Sequence, residues 1–233
     1  MTIFAGALDY LLGGPKVGGQ SEERLRRWLA LPATSLALPH ARARYVVVAT
    51  ETIRTGRRRD RLVAIDAVAV EQMQIDLAGC FAATLQPPRA GAGADVLRRG
   101  IGGQVKQGGV APELVMLAFL EFLGRSPLVV FGADGGRATF ERSVKAILGV
   151  PFRRSWIDLA ALLPALFPEA GCTNLGDWLQ HRGLADTAND DARPGAIVTA
   201  QLLQVALAAA TRSGLVNAWQ LIECQQAGRV GSP

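Results

Sequence analysis

Apolar positions along the chain change period several times, and each change predicts an element. Over residues 21–32 (SEERLRRWLALP) Leu25, Trp28 and Leu29 recur at helical spacing, with Glu22–Arg26 and Glu23–Arg27 four apart in acid-before-base order. Ser21 stands where an N-cap would, and Pro32 closes the segment. From Arg44 the period shortens. Tyr45-Val46-Val47-Val48 is a β-branched run of the kind buried on both faces of a sheet. Residues 62–70 (LVAIDAVAV) and 73–85 predict a second and a third strand joined at Glu71-Gln72, and the polar TGRRRD of 55–60 predicts the turn before them. Three strands in such close succession predict an antiparallel meander.

The second half alternates. Residues 86–94 are rich in Pro, Gly and Ala, hence a loop, and 111–124 (APELVMLAFLEFLG) is an amphipathic helix with Pro112 in its first turn and Gly124 at its stop. Residues 128–131 predict a short buried strand, then a helix to about 148. A fifth strand at 156–158 runs into a helix that Asp158 would cap. Residues 175–181, 196–211 and 213–226 complete the helices. The pattern predicts an α/β fold: a mixed five-stranded sheet with helices on both faces. Gly13, Gly14, Pro15, Gly18 and Gly19 form a linker within an N-terminal helical extension, 1–42; a central domain over 43–212 and a C-terminal helix and tail over 213–233 follow.

Composition narrows the classes. Of 233 residues 49% are hydrophobic and 19% charged, enough for a large core and against disorder. The net charge of +5, carried mostly by arginine, is compatible with nucleic acid without requiring it. Cys80, Cys172 and Cys224 are scattered and form no CxxC, which argues against a disulfide framework or structural zinc and for small buried side chains in a reducing cytoplasm. Asp9 interrupts the first apolar run, which reads as a docking helix, and 196–210 is too short to span a bilayer, so no membrane association is expected.

Three collinear segments carry a resemblance. YVVVATET (45–52) is a hydrophobic strand ending where Asp-x-Glu-Thr is expected, LVVFGADGGRATF (128–140) resembles a strand–His-Asn-x-x-Phe-Asp–helix segment, and ARPGAIVTAQLL (192–203) resembles a His-x(4)-Asp segment followed by Ala-x-x-Thr-Ala. Arg99-Gly100-Ile101 falls where His-Gly-Ile is common. Together, over roughly 44–210, they resemble the DEDDh-type 3′–5′ exonucleases of the ribonuclease H-like superfold. With the strand spacing, that resemblance implies the sheet order 3-2-1-4-5, strand 2 antiparallel to its neighbours. That resemblance implies two-metal phosphodiester hydrolysis: four carboxylates hold a pair of divalent ions and a histidine acts as general base. Carried over residue by residue, the first aspartate falls on Ala49, the glutamate is kept as Glu51, the second-motif aspartate falls on Gly136, the histidine slot on Asp190 and the last aspartate on Gly195. The glycine that usually follows the first motif aligns with Arg54. One catalytic group of five survives, so the resemblance implies a degenerate member with no bound metal expected.

Other residues stay open to two readings. Glu51 is a lone metal ligand or a solvated acid. Asp134, Asp190 and Asp191 are relocated ligands, which would restore Mg²⁺ or Mn²⁺ chemistry, or loop acids making turn bonds. Arg54, Arg57, Arg58 and Arg59 grip phosphates or form a solvated turn. His40 and His181 match neither histidine slot, and the four tryptophans read as packing residues rather than base-stacking platforms. Three functions compete: a pseudo-exonuclease that binds single-stranded nucleic acid, a nucleotide or a protein; an active exonuclease with relocated ligands; and a structural subunit, for instance a homodimer.

Overall fold

The computed structural model describes residues 16–55, 59–85, 110–132, 136–184 and 195–230. Strands β1 (Arg44–Thr55), β2 (Arg59–Glu71) and β3 (Gln74–Thr84) form the antiparallel meander, and β4 (Leu128–Val130) and β5 (Trp156–Asp158) run parallel to β1. The sheet order is β3-β2-β1-β4-β5, as the sequence predicts. The helices are α1 (Gly19–Ala30), α2 (Pro112–Leu123), α3 (Gly136–Leu148), α4 (Leu159–Leu166), α5 (Leu175–His181), α6 (Ala196–Arg212) and α7 (Ala218–Val230). None of the described helices is long and apolar enough to cross a membrane.

The β-branched run in β1 explains the layering. Side chains alternate between faces along a strand, so Val46 and Val48 pack with Ile65 and Ala67 under α1, α2 and α3, while Tyr45 and Val47 pack with Val68 and Val70 under α4 to α7. Both faces are closed, and every residue from Tyr45 to Val48 is buried. A side chain of this size contributes about 1.5–3 kcal/mol when fully buried, so this central strand anchors both cores and fixes its own register.

Local expectations fare unevenly. Pro112 opens α2 and Gly124, at φ +57, ends it. Asp158 caps α4, its carboxylate accepting from the Ala160 N–H at 3.0 Å. Helix α1, however, is capped by Gly18, and Ser21 lies inside its first turn. Leu29 is exposed rather than on the buried face, because α1 meets α2 along the narrower line of Leu25 and Trp28. That contact is fixed by Trp28 Nε1 donating to the Gly124 carbonyl at 2.8 Å and by a two-pronged Arg24–Glu121 ion pair. The β2–β3 turn falls on Gln72-Met73, one residue later than expected, with both φ positive, the geometry of a tight hairpin. The Met73 carbonyl is held there by the Gln204 side chain at 2.8 Å. Cys80 is exposed, not buried, because β3 is an edge strand and that position faces outward.

Candidate functional site

The C-terminal half of β1 emerges between β2 and β4, and its pleat decides which side chains enter the cleft there. Ala49 and Glu51 share a face. Across the ladder Ala49 pairs with Asp66 and Glu51 with Ala64, so the Asp66 side chain lies on that same face. The register shifts just after Glu51, between Ala64 and Leu62 on β2; such a bulge sharpens the local twist and re-aims the side chains beside it. Gly136 begins α3 on one side of the strand end, and Gly195 is the N-cap of α6 on the other. Gly132, at φ +76, turns the chain out of β4, and its N–H donates to the Asp158 carboxylate at 2.8 Å, tying that turn to the start of α4.

Ala49, Glu51, Gly136 and Gly195 therefore line one cleft, of about 300 Å³, together with Asp66, Arg137 and the buried Thr199. Four of the five positions carried over from the three sequence segments, although far apart in the chain, line this cleft; the fifth, Asp190, lies outside the described residues. Three of the four carry no side-chain oxygen. A β-carbon at Gly195 would meet nothing within 4 Å, and one at Gly136 would touch only Thr50 Oγ1, at an ordinary 3.8 Å. A side chain can therefore begin at either glycine without a clash at its β-carbon.

The sequence reading missed Asp66. Its signal was there: a single acid at an inward position of the otherwise apolar LVAIDAVAV. Burial, and then the negative charge of Glu51, push its carboxyl above the usual aspartate range. Two carboxylates, Glu51 and Asp66, thus face the cleft among the described residues, and only Arg137 brings a positive side chain to its lining. Helices α3 and α6 both begin at the cleft and carry no acid in their first turns, so among the described residues no carboxylate of their own offsets their positive ends there.

This donor set does not fit a pair of divalent ions. Mg²⁺ gives up its waters reluctantly and needs several carboxylate oxygens. Among the described residues no group of three or more His, Cys, Asp or Glu side chains comes close enough to hold a metal. Asp134, Asp190 and Asp191 lie outside the described residues, as do Arg57, Arg58 and the segment around Arg99. Arg54 and Arg59 sit on the last rungs of the β1–β2 ladder, opposite Asp60 and Thr55, and their side chains are outside the described set.

Neither histidine belongs to the cleft. His181 ends α5, exposed, with its ring edge-on to Trp178. His40 is buried and satisfied: Nε2 lies 3.1 Å from the Leu215 carbonyl and Nδ1 2.6 Å from the Tyr45 hydroxyl. A carbonyl only accepts, so Nε2 carries the proton and Nδ1 accepts from Tyr45. Trp28, Trp156 and Trp178 are core residues; Trp219 is exposed.

A meander followed by two parallel strands, with helices on both faces, is a mixed α/β fold shared with solved exonuclease structures. The chain is similar to the cell-death related nuclease CRN-4 (TM-score 0.55, 16% identity, covering 77% of this chain and 68% of that one). It is similar also to E. coli exonuclease I in complex with a dA16 oligonucleotide (TM-score 0.56, 13% identity, 78% of this chain and 42% of that one). A third is the nuclease domain of 3′hExo, a DEDDh family member bound to rAMP (TM-score 0.51, 10% identity, 78% and 98%). At these identities the likeness is one of fold, and the chain spans less than half of exonuclease I. No protein-family model and no curated protein matches the sequence.

Proposed function

We propose that this chain is an exonuclease-type domain that holds the end of a nucleic acid strand without two-metal hydrolysis. The observation that carries the proposal is that Ala49, Gly136 and Gly195, at three positions where the resemblance implies ligands, line one cleft with Glu51 and offer no side-chain oxygen. What remains suits a strand end. The Glu51 and Asp66 carboxylates accept hydrogen bonds from sugar hydroxyls, while the starts of α3 and α6 and the Arg137 guanidinium attract phosphate. Structural neighbours with bound dA16 and rAMP support a nucleotide ligand for this fold. Binding of a labelled single strand, measured with and without Mg²⁺ or Mn²⁺, tests it. The expected result is binding without product; a chain that binds no strand removes the proposal.

A second reading has one observation in its favour. Asp66 lies directly opposite Ala49, so a carboxylate displaced by one strand takes the place of the missing first aspartate. With Glu51, and with any of Asp134, Asp190 or Asp191, it supplies relocated ligands for Mg²⁺ or Mn²⁺ and an active 3′–5′ exonuclease. Metal-dependent degradation that Glu51→Ala abolishes selects this reading over the first.

A further inference from the structure

We infer that a second surface, a groove lined by Arg125, Arg137, Arg153 and Arg154, binds the phosphodiester backbone of a single-stranded nucleic acid beyond the cleft. The groove has a volume of about 440 Å³ and lies between the segment after α1, the turn before β4, the face of α3 and the turn before β5. Four guanidiniums line it against one carboxylate, Glu141. That carboxylate is already engaged, accepting from Arg137 Nε at 2.9 Å and from Trp156 Nε1 at 3.1 Å.

What holds the arginines matters more than their number. Arg125 and Arg154 lie over the buried Trp28 ring, 4.6 and 4.8 Å from its centroid, and Arg137 is 5.9 Å from that of Trp156. Stacking on an aromatic face fixes a guanidinium without neutralising its charge. Arg125 also donates to the Leu29 and Leu31 carbonyls, so it is anchored and contributes charge more than free donors. Behind the arginines Trp28 stacks on Phe152, which meets Trp156 edge-on, so one packed aromatic cluster forms the floor. Among the described residues no acid pairs with Arg153 or Arg154, and Arg154 Nε is buried without a hydrogen-bond partner. Arg153 and Arg154, with no acidic partner among the described residues, are therefore the guanidiniums this groove offers to an oxyanion. The Thr34 and Ser155 side chains add hydroxyls to the same lining.

Continuity favours a strand over an isolated anion. Arg137, at the start of α3, lines both the groove and the cleft that holds Glu51, so one backbone passes from one to the other. That continuity rests on the strand-end reading of the cleft; the groove's preference for phosphate follows from its own charges. Phosphate is also the anion that a planar, two-pronged guanidinium matches.

The test measures the affinity of the full chain for a fluorescein-labelled single-stranded oligothymidylate across a salt series. Arg153→Glu with Arg154→Glu is expected to weaken binding on the order of tenfold or more and to flatten the log–log salt slope by about 0.7 per arginine. Arg212→Glu, a like charge change at an exposed position on α6 outside the groove, should change neither. Arg153 is exposed and unpaired, so Arg153→Glu alone serves as the readout if the double variant melts early. Gly195→Phe, which fills the cleft, separates the two proposals. If it weakens binding while the groove variants match Arg212→Glu, the groove assignment is overturned and the cleft stands. If the groove variants weaken binding and Gly195→Phe does not, the groove stands and the strand-end reading falls. An acidic peptide that displaces the oligothymidylate from the wild type and binds more tightly overturns the nucleic-acid assignment in favour of a protein partner.

Discussion

Asp66 lies directly across the β1–β2 ladder from Ala49, on the face that carries Glu51. Directly opposed residues of an antiparallel pair hold their β-carbons about 4.5–5.5 Å apart. The carboxylate missing from β1 thus has a counterpart one strand away, raised in pKa by burial and by Glu51.

That relationship predicts a pH signature. An aspartate whose folded pKa is raised binds its proton more tightly in the folded than in the unfolded chain. Stability therefore falls as pH rises from the ordinary value of 3.8 through the raised one, and the full penalty applies above it. Asp66→Asn should melt higher than wild type at neutral pH, and that gain should vanish near pH ~3. A gain that persists at acid pH would show that the effect is packing and not charge.

Calorimetry with Mg²⁺ or Mn²⁺ at millimolar concentration should show no saturable binding of two ions. Two carboxylates in the described cleft carry too little negative charge to hold two adjacent dications against their mutual repulsion. A stoichiometry of two that Glu51→Gln abolishes would establish that acids outside the described residues close the cage.

Restoring the lost groups should be sterically permitted at two sites. Gly136 and Gly195 both lie outside the left-handed region, and both have room for a β-carbon. Ala49→Asp alone should destabilise by about 0.2–1 kcal/mol, because it places like charges directly opposite each other, and Asp66→Asn should relieve that cost. Each single change should leave hydrolysis undetectable. Ala49→Asp, Gly136→Asp, Gly195→Asp and Asp190→His together are expected to be strongly non-additive, since neither metal is held until the whole cage exists. Measurable cutting by any single variant contradicts this.

The His40–Tyr45 pair makes a stability prediction away from the cleft. Burial holds the His40 pKa below its usual 6.5, so below that pH the unfolded chain takes up a proton that the folded chain resists. This contribution is complete above about pH 6.5 and is lost as pH falls toward the lowered folded value. His40→Ala strands the Tyr45 hydroxyl and the Leu215 carbonyl, costing about 1–3 kcal/mol for each buried group left unsatisfied. Denaturant unfolding at neutral and mildly acid pH reads both effects, and the variant should show the shallower pH dependence.

The sequence by itself determined the elements and the layers. A run such as Tyr45 to Val48 is buried on both faces, the helices that follow it supply the covering, and the one-residue alternation along it assigns each side chain to a face. The strand order, and the grouping of Ala49, Glu51, Gly136 and Gly195, were implied by the resemblance of three collinear segments and not by periodicity. The tertiary structure alone decided what else stands there. Asp66 becomes a neighbour of Ala49 only through a register that no local pattern encodes, since a shift of one residue would send it to the opposite face. Arg125, Arg137, Arg153 and Arg154 sit on three separate segments that look like ordinary surface arginines, and only the packing of Trp28 and Trp156 behind them makes one groove. Local patterns are set by the chain's own periodicity. Charge constellations arise from contacts between segments distant in sequence, and those are fixed only when the two cores close.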